Sequence, residues 1–302
     1  MRVVVVGGGA WGTAFAKLAA ELDHDVSLAV RDASRVYPYG LVADPVATAP
    51  YEDADLIVVA VPSRAFRAVV EALPGTAPVL SLAKGLDPAS GRRLSTLVEG
   101  RRVAVLSGPN MADEVARGLP GVAVVASEDD ALARELQDAF NSGLFRIYVN
   151  SDVIGVELCA AAKNVMALAA GGVDGLELGD NAKAALITRG LVEMARLGEA
   201  CGAEAETFSG LAGMGDLIVT CWHPAGRNRR AGELIARGAS PAEAIAEIGQ
   251  VVEGLTTAPV LRDLGRRLRV DLPITEGVCA VLEGMPLVTL ASSLMGRRPT
   301  EE

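Results

Sequence analysis

The chain is poor in lysine, histidine and aromatic residues. Of its 28 basic residues only four are lysines (Lys17, Lys84, Lys163, Lys183), and the two histidines are His24 and His223. Aromatic residues make up 4% of the sequence and hydrophobic residues 50%, so the core must be built mainly of Ala, Val and Leu. Cysteine is sparse. Cys159, Cys201, Cys221 and Cys279 show no C-x-x-C spacing and no neighbouring pair of histidines. That pattern excludes a zinc site, so no metal is expected, and it reads as reduced thiols in a cytoplasmic protein. Positive charge is also in deficit: the net charge is −10 and the isoelectric point about 4.9. A nucleic-acid or anionic-membrane partner is therefore not expected. No apolar run is expected to reach the ~18 residues of a membrane span. The opening run Met1 to Val6 stops at Gly7-Gly8-Gly9, too early for a secretory signal, so no integral membrane segment is expected.

What is present begins with a strand and a glycine turn. Arg2 to Val6 is rich in β-branched residues and reads as a buried strand. Gly7, Gly9 and Gly12 follow in G-x-G-x-x-G spacing, with Ala10 and Trp11 inside the turn. A helix is expected from about Ala10 to Leu22, and a second strand over Val26 to Val30. In this strand–turn–helix–strand context the glycines permit a tight turn and a close approach of backbone N–H groups to a pyrophosphate. The turn is therefore expected to be a dinucleotide site rather than an ordinary tight βα turn. Arg31 ends the second strand, 19 residues beyond Gly12, where an acid would hold the ribose of NAD. An arginine there suits the 2′-phosphate of NADP, while the adjacent Asp32 keeps NAD open. The cofactor is thus NADP or NAD, with NADPH slightly preferred.

Further apolar strands are expected over Leu56 to Val61, Val79 to Leu82, Val103 to Leu106, Gly121 to Ala126 and Phe145 to Val149. The segment from Arg35 to Tyr51 reads as irregular. Alternation of strands with helices implies an α/β class: a doubly wound, mostly parallel Rossmann-type sheet. Ligands on such sheets bind beyond the strand C-termini, so Gly9, Ser63, Lys84 and Asn110 should share one rim. After Asn150 the pattern turns helical. The chain is expected to divide into a dinucleotide-binding domain, residues 1–151, and an all-α substrate-binding domain, residues 152–302. The tail beyond Met295 is polar and expected to be mobile.

The first helix of the second half carries Val156, Cys159, Ala160 and Lys163 on one face, and would pass along the cleft between the domains. A lysine among alanines either loses its proton more readily, finds an anion, or snorkels to the helix edge. Nicotinamide chemistry needs a proton donor at the carbonyl or alcohol oxygen. His24 sits in a turn on the wrong side of the sheet, and His223, in a loop near Arg227, remains a weak candidate. No Tyr-x-x-x-Lys pair occurs, and arginine does not titrate usefully. Lysine remains, with Lys163 best placed. Asp216, in the glycine-rich run 210–217, is positioned to orient it or share its proton. Arg227 to Arg230 is the densest positive cluster, either a solvated helix surface or an anion anchor.

Many separate runs, in order along nearly the whole chain, resemble the bacterial NAD(P)-dependent glycerol-3-phosphate dehydrogenases. They include Gly7 to Gly12, Ala60 to Ser63, Lys84 to Leu86, Gly155 to Leu158 with Ala162 to Asn164, and Asn181 to Gly190. Gly210 to Leu217, Arg227 to Arg230 and Val251 to Gly254 complete the set. The resemblance implies reversible reduction of dihydroxyacetone phosphate to sn-glycerol 3-phosphate, which feeds phospholipid synthesis. It implies Lys163 as proton donor and acceptor, and Lys84 touching cofactor and substrate. Gly108 and Asn110 then lie in a substrate loop, and Ala112 contacts the cofactor. Asp216, Gly226, Arg227 and Asn228 meet the substrate, with Arg227 also near the cofactor, while Val251 and Glu253 close over the cofactor. The expected partner is a small phosphorylated ketone or alcohol, and the expected assembly a homodimer.

The sequence departs from the resemblance at four places. Asn110 stands where Ser or Thr is usual, Gly226 where a Ser commonly precedes Arg-Asn, and Ala10 where Ser is common. The segment from Arg31 to Tyr51 is shorter than usual. Two rival readings remain at this level. One is a β-hydroxyacid or ketopantoate-type reductase of the same two-domain plan; the other is a dinucleotide sensor without turnover.

Overall fold

Val3 to Val6 of the first strand are buried on both faces. A strand apolar on both faces must be covered twice, which helices on either side of a parallel sheet achieve. The computed structural model describes residues 1–287 and Thr289 and shows this arrangement. Eight strands form one sheet: β1 (Arg2–Val6), β2 (Asp25–Val30), β3 (Ala43–Pro45), β4 (Leu56–Val59), β5 (Val79–Ser81), β6 (Val103–Ser107), β7 (Gly121–Ala126) and β8 (Phe145–Asn150). Their spatial order is β3-β2-β1-β4-β5-β6-β7-β8. All neighbours run parallel except β6 and β7. The strand order reverses between β1 and β4, the switch point where such sheets take their ligands.

Helices α1 (Ala10–Glu21), α2 (Ser63–Glu71), α3 (Ala112–Ala116) and α4 (Asp130–Phe140) connect the strands. Phe15, Leu28, Phe140 and Phe145 belong to the core on one sheet face; Ile57, Val59, Phe66 and Val79 belong to the other. β3 falls inside the segment expected to be irregular. It is three residues long and ends in proline, which an edge strand tolerates because its outer N–H groups need no partner.

No strand follows Asn150 among the described residues. Helix α5 spans Val153–Gly175, followed by α6 (Gly179–Ala200), α7 (Ala205–Ser209), a π-type turn at Leu211–Gly215, and α8 (Asp216–Trp222). Then come α9 (Arg227–Ala236), α10 (Pro241–Ile248), α11 (Glu253–Leu268) and α12 (Pro273–Leu282). By compactness the chain forms two units. One comprises Met1–Ala160 with Cys201–Asp216; the other comprises Ala161–Ala200 with the described residues from Leu217 onward. The polar tail beyond Met295 lies outside the described residues.

In the first unit, Asp152 anchors the start of α5. Its carboxylate accepts from Gly155 N at 2.8 Å, Glu204 N at 3.0 Å and Thr207 Oγ1 at 2.7 Å. One turn on, the buried Glu157 accepts from Ser95 N at 2.8 Å, Ser95 Oγ at 2.5 Å and Arg93 at 3.0 Å. Burial pushes the Glu157 carboxyl up, and those donors work against the shift. In the second unit, Glu193 of α6 accepts from Ile274 N at 2.7 Å and Thr275 N at 2.9 Å, satisfying the first turn of α12. α5 is long and apolar enough to cross a membrane by length and composition, but 89% of its most apolar window is buried inside the fold. It is a core helix.

Candidate active site

The glycine turn has the shape that the motif demands. Gly7 has φ of +116°, and a Cβ there would meet the Ala60 carbonyl at 2.6 Å. A Cβ at Gly12 would collide with the Gly7 carbonyl, so α1 packs directly on the turn. Gly9 is different: a Cβ there meets nothing within 4 Å, so space is open at the helix start. Gly9 caps α1 without a side-chain bond, and the first turn holds no acid. The α1 N-terminus therefore presents its backbone donors and dipole to open space, which fits a pyrophosphate. Trp11 stacks edge-on against Phe15, with ring centroids 6.3 Å apart. Its buried Nε1 has no hydrogen-bond partner among the described residues. Arg31 is exposed at the end of β2. Asp32 commits one carboxylate oxygen to Ser34, at 3.2 Å from N and 2.5 Å from Oγ.

Beyond β5 and β6 a buried polar cluster forms within the first unit. The Lys84 ammonium donates to Asp216 Oδ2 at 3.0 Å, to Asn110 Oδ1 at 3.2 Å and to the Gly108 carbonyl at 3.5 Å. Ser107 Oγ and Gly108 N also donate to Asp216 Oδ2, at 3.1 and 3.4 Å. Asp216 is 2% exposed. A carboxylate so deeply buried needs its charge matched, and Lys84 supplies the cation. Gly108 has φ of +128°, and a Cβ there would meet the Val122 carbonyl at 2.9 Å. Asn110 turns its other end to Val122 O at 3.4 Å. Ala112 opens α3. Gly9, Ser63, Lys84 and Asn110 follow β1, β4, β5 and β6, the strands around the switch point. Pairing of Lys84 with Asp216, and the part of Ser107, were not foreseen. They join residues with no periodic relation in sequence.

In the second unit Lys163 is 4% exposed, so it does not snorkel to the helix edge. Its Nζ donates to Thr220 Oγ1 at 2.9 Å. Thr220 stands one helical turn after Asp216 on α8, and that i, i+4 spacing is the signal that could have singled it out. Asn164, the next residue, accepts from Asn228 Nδ2 at 2.8 Å, and Asn228 Oδ1 accepts from Gly254 N at 2.9 Å. Asn228 thus uses both ends of its amide to join α5, α9 and the start of α11. Gly226 is the N-cap of α9, with Arg227 as its first residue. Water reaches Arg227, yet the atoms crowded around its guanidinium lower its pKa; nearby Glu253 opposes the shift. It remains a cation at neutral pH. Val251 and Glu253 lead into α11, partly exposed.

The two histidines have other surroundings: His24 lies in the first unit, and the His223 carbonyl accepts from Gly226 N at 3.0 Å. His24 Nε2 is 2.8 Å from the Ala139 carbonyl and its ring sits edge-on to Phe140. His223 accepts from Ala225 N at 3.2 Å within its own loop. An apolar cavity of about 100 Å³ lies inside the second unit, lined by residues such as Leu168, Gly172, Ile235 and Val281, and none of the predicted site residues borders it.

Comparison with known proteins bears on this geometry directly. A protein of Moorella thermoacetica named glycerol-3-phosphate dehydrogenase, NAD(P)+, is 43% identical over 325 residues, spanning 99% of this chain and 97% of its own length. The crystal structure of glycerol-3-phosphate dehydrogenase from Coxiella burnetii superposes with a TM-score of 0.93 at 34% identity, covering 98% of this chain and 99% of that one. A ketopantoate reductase of the PanE/ApbA family from Ralstonia eutropha covers 98% of this chain and 100% of its own, but only at TM-score 0.62 and 17% identity, a likeness of fold alone. The family descriptions for the N-terminus and C-terminus of NAD-dependent glycerol-3-phosphate dehydrogenase match residues 34–133 and 152–290. The chain belongs to the NAD-dependent glycerol-3-phosphate dehydrogenase family.

Proposed function

We propose that this protein catalyses the reversible, NAD(P)H-dependent reduction of dihydroxyacetone phosphate to sn-glycerol 3-phosphate, with Lys163 as the proton donor. The observation that carries the reading is the buried Lys163 ammonium, hydrogen-bonded to Thr220 on a core helix. A lysine has little reason to be buried there for stability, whereas a titratable donor held in one rotamer suits general acid/base work.

A nicotinamide held there would supply hydride for the C2 carbonyl carbon. Lys163 delivers a proton to the C2 oxygen as charge builds there, and takes it back in the reverse direction. Thr220 fixes the donor's direction. Gly7, Gly9, Ala10, Trp11 and Gly12 hold the pyrophosphate end of the dinucleotide, and Arg31 the ribose side. Ala112, Val251 and Glu253 complete its contacts. Lys84, Gly108, Asn110 and Asp216 bind the polar groups of the substrate, with the negative charge of Asp216 holding the Lys84 ammonium in place. Gly226, Arg227 and Asn228 take the phosphate at the α9 N-terminus, where backbone donors and the guanidinium favour a dianion. We assign residues 1–151 to dinucleotide binding and 152–302 to substrate binding. We place the protein in the cytoplasm as a homodimer supplying phospholipid synthesis.

Initial rates with NADPH and NADH against a panel of small ketones test the reading. Oxidation with dihydroxyacetone phosphate and none with ketopantoate is expected. Turnover of ketopantoate instead would favour the rival reductase, and cofactor binding without turnover of any ketone would favour a sensor.

A further inference from the structure

Lys183, one of only four lysines, has no place in the mechanism above, yet it is 5% exposed. Its ammonium donates to both oxygens of Asp174, at 3.0 and 2.8 Å. Arg229 pairs with the same carboxylate. The Asp174 carboxylate therefore bridges two largely buried cations, drawn from α6 and α9, at the C-terminal end of α5, and Glu233, one turn along α9, pairs with Arg229 as well at 3.0 Å.

Both cations also grip the loop that leads into α9. The Lys183 ammonium lies 4.9 Å from the centre of the Trp222 ring, the last residue of α8. Arg229 donates to the Pro224 carbonyl at 3.0 Å. The two helices beneath are in backbone contact. A Cβ at Gly171 would collide with the Arg229 carbonyl, and one at Gly175 would sit 2.6 Å from Ala236 Cβ. Such close approach sets the spacing of α5 and α9, and the ion pair sets their register. Lys163 stands on α5 eleven residues before Asp174, roughly 16 Å along the axis. Arg227 opens α9 two residues before Arg229.

We infer that Asp174 is a positioning residue for phosphate recognition: by holding Lys183 and Arg229 together it fixes the 223–226 loop, and so the place of Arg227 relative to Lys163. Without the carboxylate Lys183 loses its anion while Arg229 keeps Glu233, so the bridge between the two cations is broken and their hold on the loop loosens. The α9 N-terminus then samples several positions. The inference rests on the assignment of Arg227 as the phosphate anchor.

The test is steady-state kinetics on Asp174→Asn, Arg227→Ala and the double variant, with NADPH affinity measured by fluorescence. Asp174→Asn should raise KM for dihydroxyacetone phosphate ~10-fold with kcat within ~3-fold, since displacement of a binding group acts mainly on KM. NADPH affinity should not change. In the Arg227→Ala background the same substitution should add less than ~2-fold, because groups acting through one another are not additive. Asp174→Glu, which keeps the charge, should recover part of the loss and serves if the Asn variant fails to fold. An unchanged KM in Asp174→Asn beside a raised KM in Arg227→Ala overturns this inference alone. An unchanged KM in Arg227→Ala overturns the anchor assignment and this inference with it. Full additivity, with kcat and cofactor affinity falling together, overturns the inference in favour of a general stabilising role.

Discussion

The Lys84 ammonium and the Asp216 carboxylate lie 3.0 Å apart, although 132 residues separate them in sequence. Lys84 comes from the loop after β5 and Asp216 from the first position of α8. Asp216 is almost fully enclosed, so its charge depends on Lys84 and on the Ser107 and Gly108 donors. Removing one partner leaves a buried charge unmatched. Asp216→Ala should therefore cost about 3 kcal/mol of stability, and the Lys84→Ala/Asp216→Ala double variant less than the sum of the singles. Urea denaturation of the three variants measures this coupling, and strict additivity would refute it.

Arg227→Ala should raise KM for dihydroxyacetone phosphate by roughly 10–100-fold, corresponding to the ~1.5–3 kcal/mol of a hydrogen bond to a charged group. Glycerol, which lacks the phosphate, should be oxidised equally poorly by wild type and variant. A KM for the phosphorylated ketone within two-fold of wild type would remove Arg227 from phosphate binding.

Tyr51 is 6% exposed, and its hydroxyl has no hydrogen-bond partner among the described residues. An unmade hydrogen bond in the interior is a standing cost, so Tyr51→Phe should stabilise the protein by about 1 kcal/mol. A lower urea midpoint in the variant would contradict this.

Burial pushes the Cys279 thiol up to about 11 from an ordinary value near 9.0. A folded-state pKa above the unfolded value contributes stability that is fully present below about 9 and lost as pH rises toward 11. Burial also raises the Tyr51 phenol, adding to the loss from about 10 upward. Stability should therefore fall between pH 9 and 11. Across that window the decline should be shallower in Cys279→Ala, whatever its stability at pH 7. Parallel pH profiles for wild type and variant would show that the thiol contributes nothing.

Local patterns in the sequence revealed most of the framework. Continuous apolar runs marked the strands β4 to β7, and glycine spacing marked the turn, because backbone crowding at Gly7 and Gly12 leaves no room for a side chain. The apolar helical neighbours of Lys163 left both burial and an edge position open, and the structure buries it. Other features had no local signal. β3 is too short and too polar to show a strand period. The segment Cys201–Asp216 groups with the first unit although it follows two helices of the second half, a consequence of long-range packing around Asp152 and the β6 end. The Asn164–Asn228–Gly254 chain likewise joins three helices through one amide, a link that no spacing rule predicts.

The central claim is that Lys163 moves the proton, and single-turnover and steady-state rates of Lys163→Ala with NADPH and dihydroxyacetone phosphate test it most directly. The account predicts a fall in kcat of ~10²–10⁴-fold, typical of a lost general acid, with NADPH affinity within a few-fold of wild type. A kcat near that of wild type would contradict it.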